Sequence, residues 1–154
     1  MILLVHMLFG ALIGQKILNP FLAVILAFLS HYFLDLLPHI EYPIENIVNK
    51  QWKKAIPDIF RVVLDFCLGI LLVLLFSTNQ LIIYFCTFLA ILPDGFSVIS
   101  LIVKNKVLQK HNKFHQDKIH FLKQKKFSEA PISEPWRILT QVTVVIVFII
   151  LLIT

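Results

Sequence analysis

Apolar and polar positions alternate along this chain in long blocks rather than residue by residue. Five apolar runs stand out, at 1–14, 20–37, 57–77, 80–103 and 138–154. A helix that crosses a bilayer needs about 20 apolar residues, with a range near 17–25. The first run is short by that measure and is expected to tilt or to cross only in part. The second opens at Asn19-Pro20, a capping residue followed by proline at the first helical position. The third follows Pro57, and the fourth follows the turn-like "STNQ" at 77–80. Only "QKILN" joins the first two runs, which predicts an antiparallel hairpin. The repeated ten-residue alternation of a membrane β-barrel is not present. The pattern predicts an all-α integral membrane protein, a bundle of about five transmembrane helices in a single domain over 1–154.

Two polar stretches separate these runs. Residues 38–56 read as a loop or short interfacial helix, with Tyr42 and Trp52 as aromatics at headgroup level. Residues 104–137 mix lysines with Phe, Leu and Ile, which suits an amphipathic helix on the membrane surface. With five crossings, both stretches fall on the same side as the N-terminus. That side then carries all but Lys16 of the 14 Lys and Arg residues. Basic residues collect in the cytoplasm, so the expected arrangement is a multi-pass protein of the plasma (inner) membrane. Its N-terminus is cytoplasmic and its C-terminus outside.

Composition supports the class. The chain is 58% apolar and only 15% charged, with a mean hydropathy of +0.86, against about a quarter charged in a soluble domain. The net charge of +5 is explained by lysines flanking membrane helices, where lipid headgroups are the nearest polyanion, and no nucleic-acid partner is expected. Cys67 and Cys86 lie inside apolar runs and imply no disulfide framework. The N-terminal run lacks the basic flank and cleavage site of a signal peptide and is read as retained. Neither a nucleophile elbow nor a phosphate-binding glycine loop is present, which argues against serine hydrolases and P-loop enzymes.

Ionisable residues inside the apolar runs sharpen the picture. His6, His31, Asp35, Asp65 and Asp94 all map to the cytoplasmic half of the predicted bundle, with His39, His111, His115 and His120 just beyond it. An Asp near a helix centre costs roughly 3 kcal/mol on insertion scales, so three of them should face polar partners rather than lipid. Histidine nitrogen and carboxylate oxygen together suit Zn, Mn or Fe. His31 and Asp35, four residues apart, share one helix face. Tyr32 is expected on another. The metal-ligating candidates are His6, His31, Asp35, Asp94 and His39. Asp65 is a further candidate as catalytic group or outer ligand, and His115 as general acid/base or loop-borne ligand. Simpler roles compete: His6 in packing, Asp65 paired with Arg61, Asp94 capping a helix broken at Pro93 and Gly95, His39 solvated, His111 and His115 on one face of a surface helix, and His120 in solvent.

His6, "GALIG" at 10–14, "LLPH" at 36–39, "ILPD" at 91–94 and "HNKFH" at 111–115 resemble a family, the small membrane-bound metal-dependent hydrolases of bacteria and archaea. The chain departs from the family pattern at Val5, where a threonine precedes the first histidine, and in lacking the His-Arg…Thr-His element. The resemblance implies a divalent metal cofactor. The expected function is hydrolysis of a lipid or lipid-linked ester or phosphoester at the cytoplasmic leaflet, with membrane lipids as partners. The alternatives are a small metal- or proton-handling transporter and a scaffold whose polar residues only hold helices together.

Overall fold

The computed structural model describes residues 1–37, 39–40, 42, 45–49, 51–103, 105–115, 117 and 133–154. Among them every regular element is helical: α1 (Leu3–Lys16), α2 (Pro20–Asp35), α3 (Glu45–Val48), α4 (Trp52–Phe76), α5 (Leu81–Ile102), α6 (Lys106–Phe114) and α7 (Glu134–Ile153). Three of them, in α4, α5 and α7, are long and apolar enough to cross a membrane. α1 and α2 are shorter apolar helices. At about 1.5 Å per residue they reach about 21 and 24 Å, against about 30 Å of hydrocarbon.

α1 lies at the centre. Its apolar residues run round the whole circumference, so no face favours solvent, and Leu4, Val5, His6, Met7, Leu8, Ala11 and Leu12 are all buried. α5 approaches closely because of two glycines four residues apart. A Cβ at Gly10 would stand 2.6 Å from the Cys86 carbonyl oxygen, and one at Gly14 would stand 2.9 Å from Ile83 Cα. Small residues at this spacing let helix backbones touch where lipid offers no hydrophobic drive between them. α2 packs on the same helix through Ala23 and Ala27 against Cys86. On the far side, Phe9 stacks on Phe148 of α7 with ring centroids 4.7 Å apart. The outward faces are apolar: Phe60 and Leu64 of α4, Phe88 of α5 and Ile146 of α7 are exposed, as lipid-facing side chains are.

Asn19 caps α2 by accepting from the Leu22 N–H at 3.1 Å, with Pro20 at the first helical position, as its sequence predicts. The helix stops at Asp35 rather than running on to residue 37. The third apolar run differs more, because its helix starts at Trp52 and takes Pro57 inside. A proline so near the open end removes a single backbone bond. Nor does α5 break at Pro93; it continues through Asp94 and Gly95 to Ile102, so Asp94 caps nothing. Of the long polar stretch, the described part includes α6, capped by Asn105, whose Oδ1 accepts from Val107 N–H at 2.8 Å. α6 turns Leu108, His111, Asn112 and His115 toward the bundle and leaves Lys106, Val107, Lys110, Lys113 and Phe114 exposed. His120 lies outside the described residues.

Candidate metal centre

The close α1–α5 and α2–α5 contacts decide which side chains meet where α1 begins and α2 ends. His6 comes from the first turns of α1, His31 and Asp35 from the last turns of α2, Asp94 from α5 and His115 from the end of α6. His6, His31, Asp35, His39 and His115 are all buried, and Asp94 is partly exposed.

Backbone and hydroxyl partners fix how the imidazoles are turned. His31 Nδ1 is 2.8 Å from the Ala90 carbonyl oxygen. A carbonyl only accepts, so Nδ1 carries a proton and Nε2 is the nitrogen turned toward the carboxylates. His39 Nδ1 donates likewise to the Leu37 carbonyl at 2.6 Å. His115 Nδ1 is 3.4 Å from Ser97 Oγ. That hydroxyl donates to the Pro93 carbonyl and keeps lone pairs for the imidazole N–H. A ring nitrogen held in this way is the usual support for a metal-ligating histidine.

The other ring nitrogens converge on one carboxylate. His31 Nε2 and His115 Nε2 lie 3.1 and 3.0 Å from Asp35 Oδ2 and 3.2 Å from each other. His31 Nε2 is also 3.5 Å from Asp94 Oδ1. Two imidazole nitrogens and two carboxylates packed this closely call for positive charge among them, carried by ring protons or by a bound cation. A proton can bridge one pair, whereas a cation at the centre answers all four. Donors held tetrahedrally at about 2.0–2.1 Å from Zn²⁺ stand about 3.3 Å apart, and the observed spacings straddle that value. His31, Asp35, Asp94 and His115 thus offer four ligand atoms within 4.8 Å of one another, a group able to hold a metal ion.

The other Asp35 oxygen has its own neighbours. His6 Nε2 is 3.2 Å from Oδ1, His39 Nε2 is 4.0 Å from it, and the Met1 nitrogen is 2.8 Å away. The His6 ring stacks on His31 with centroids 4.2 Å apart. Among the described residues, neither nitrogen of His6 meets hydrogen-bond geometry, and Asp35 is the ionic neighbour of Nε2.

Asp65 stands apart from the donor group. Its Oδ2 accepts from the Leu4 N–H at 3.0 Å, satisfying one of the open N–H groups at the start of α1. The expected Arg61 partner goes elsewhere: Arg61 Nη1 is 3.4 Å from Asp58 Oδ1, while Asp58 Oδ2 accepts from Asn46 at 2.9 Å. Asp65 therefore fixes the helix start that carries His6 two residues on.

Tyr32 was expected to face away from this group. Its ring is instead edge-on to His31 and His115, with centroids 5.6 and 5.8 Å apart, and its hydroxyl shares a hydrogen bond with His111 Nε2 at 2.8 Å. Burial, then charge repulsion from His115 and His31, holds His111 below the usual histidine value. His111 also stacks on His115 at 5.9 Å. Tyr32 and His111 thus tie α6, and His115 with it, to α2. The four-residue step from His111 to His115 signalled that face in the sequence; no sequence signal pointed to the Ala90 carbonyl or Ser97.

Fold and site together define a helical bundle with three helices long and apolar enough to span a membrane and a buried His/Asp group able to hold a metal ion. No protein-family model, curated protein or solved structure matches the chain.

Proposed function

We propose that this chain is a membrane-embedded, metal-dependent hydrolase of a lipid or lipid-linked ester or phosphoester at the cytoplasmic leaflet. The observation that carries the reading is the convergence of two imidazole nitrogens on Asp35 Oδ2, each ring's other nitrogen already engaged. Under this reading all five apolar helices cross the membrane, α1 and α2 being short because they are buried among or against the others. The N-terminus is cytoplasmic, since the basic residues gather at the site's end of the bundle.

His31, Asp35, Asp94 and His115 would hold the divalent ion, Zn, Mn or Fe. Such an ion supplies Lewis acidity toward a carbonyl or phosphoryl oxygen and acidifies water at neutral pH. The remaining work falls to the protein. Ala90, Ser97 and Leu37 aim the imidazoles, and Asp65 anchors the start of α1. His115 stands among the donors, which favours a ligand's role over that of a free acid/base. Asp94 is the partly exposed member and marks the side from which a headgroup would enter. Lys106, Lys110 and Lys113 on the outer face of α6 would draw anionic headgroups toward that side.

The transporter alternative is weakened by α1 itself, which is wholly apolar from Met7 to Gly14 and offers no polar path beyond His6. The reading is tested by incubating detergent-purified protein with mixed micelles of defined phospholipids and lipid phosphates, with Zn²⁺, Mn²⁺ or Fe²⁺ added. Headgroup or phosphate release that stops with chelator and in Asp35→Ala is expected. Release unaffected by either, or none from any lipid while metal is bound, would overturn the hydrolase reading.

A further inference from the structure

The four donors of the metal centre do not come from equally secure parts of the bundle. His31 and Asp35 belong to α2 and Asp94 to α5, helices that pack on each other and on α1. His115 comes from the end of α6, and among the described residues no side chain within α6 is buried. Individual side chains hold α6 to the bundle. The Tyr32 hydroxyl and the Phe96 ring meet His111, the ring at 5.6 Å. Phe114 lies 6.5 Å from the Tyr32 ring, and Ser97 Oγ is 3.4 Å from His115 Nδ1. An element with so few buried contacts opens at low free-energy cost. Its donor is therefore the one whose position a second ligand can bias.

The outer face of α6 shows which ligand that is. At about 3.6 residues per turn, Lys106, Lys110 and Lys113 fall within an arc of about 60°, and all three are exposed. Val107 and Phe114 form an apolar stripe beside them, 75% and 52% exposed. α6 contains no acidic residue. Only residues 103–105 separate it from α5, a helix long and apolar enough to cross a membrane, so α6 starts at the bilayer surface. Lysines beside an apolar stripe at that depth match anionic headgroups and the acyl boundary beneath them. A soluble polyanion would engage the lysines and leave Val107 and Phe114 in water.

We infer that the outer face of α6 docks on an anionic phospholipid surface and that this docking tightens the metal centre by holding His115 in place. The inference rests on the metal centre proposed above and adds its regulation. One short helix carries lipid contacts on one side and a metal ligand at its end, so whatever holds it down favours both. The coupling is reciprocal: a bound ion also strengthens the hold of α6 on the surface. Direct electrostatics runs the other way, because lysines near the centre repel a cation. The sign of the effect therefore separates docking from charge alone.

The experiment is Zn²⁺ titration of the full chain in nanodiscs of phosphatidylcholine, and of phosphatidylcholine mixed with phosphatidylglycerol. Wild type should bind Zn²⁺ roughly tenfold more tightly in the anionic discs, within the span of about 5–150-fold usual for coupled sites. An anionic surface also gathers Zn²⁺ for any protein, so the combined variant Lys106→Gln, Lys110→Gln, Lys113→Gln supplies the baseline. In neutral discs it should bind at least as tightly as wild type, and in anionic discs more weakly than wild type. Hydrogen exchange of the 106–115 amides without metal reads the docking directly and needs no variant. Wild type should exchange more slowly there in anionic discs. Equal gains in wild type and variant, or no gain in either, overturn the coupling and leave the metal centre standing. Equal exchange of α6 in the two discs overturns the lipid docking. Zn²⁺ bound in neither disc overturns the metal centre and the coupling with it.

Discussion

At one end of α1, Gln15 donates from Nε2 to the Leu152 carbonyl at 2.8 Å and accepts at Oε1 from the Thr78 N–H at 3.1 Å. One neutral side chain thereby ties α7 and the α4–α5 turn to the central helix. At the other end, His6, His31, His39, His115, Asp35 and Asp94 crowd within a few ångströms of one another. Both ends need polar groups to join helices. A satisfied amide does this at about 1 kcal/mol of net gain per bond, whereas burying an ionised carboxylate costs several kcal/mol before any partner repays it. Joining helices explains the Gln15 end and leaves the histidine end over-equipped. The excess is what a cation site requires.

The contrast can be broken most sharply at Asp35. Asp35→Ala removes the carboxylate on which both histidine sets converge and should lower metal affinity by at least about 100-fold, since changes one shell further out already cost 10–100-fold. Isothermal titration with Zn²⁺ checks this, and an affinity within threefold of wild type would reduce the histidine end to helix glue. Next in size is Gly10→Ala, which inserts a methyl 2.6 Å from the Cys86 carbonyl and should cost about 1–3 kcal/mol. Because the seam sets both ends, thermal stability and metal affinity should fall together. Gly95→Ala, with nothing within 4 Å, should leave both intact. Gln15→Ala should cost about 1–2 kcal/mol in denaturant unfolding, through the two hydrogen bonds lost, while metal affinity stays unchanged. The smallest effect belongs to Tyr32→Phe. Losing the hydroxyl on His111 loosens α6, and the affinity for metal should fall roughly fivefold, about the worth of one hydrogen bond. A variant matching wild type would show that α6 docks without that bond.

The sequence revealed the helices better than the contacts between them. Runs of apolar residues announced α4, α5 and α7, and Asn19-Pro20 announced the start of α2, because lipid-length hydrophobicity and capping are local properties. Pro57 and Pro93 misled as breakers, since tertiary packing keeps a helix going past a proline when only one bond is lost. His31 and Asp35 were legible as a pair from their spacing. The shared depth of His6 and Asp94 was legible too, but their distances depend on how closely α1 and α2 approach α5, which Gly10 and Gly14 decide. Asp65 shared that depth and still serves the Leu4 N–H, for depth does not specify direction round a helix. Tyr32 was placed by counting residues on one helix, whereas its position relative to His111 is set by where α6 docks.

The most direct test of the metal centre compares thermal unfolding of wild type and Asp35→Leu, each with chelator and with added Zn²⁺, Mn²⁺ or Fe²⁺. Metal bound only to the folded state stabilises by about 2.7 kcal/mol at a hundred times its Kd, so chelator should lower the wild-type Tm and added ion restore it. In Asp35→Leu the ion should have no effect. The metal-free variant should be at least as stable as metal-free wild type, because leucine replaces a buried charge with packing. A wild-type Tm indifferent to chelator and to all three metals would contradict the account and leave the histidine end as costly helix glue.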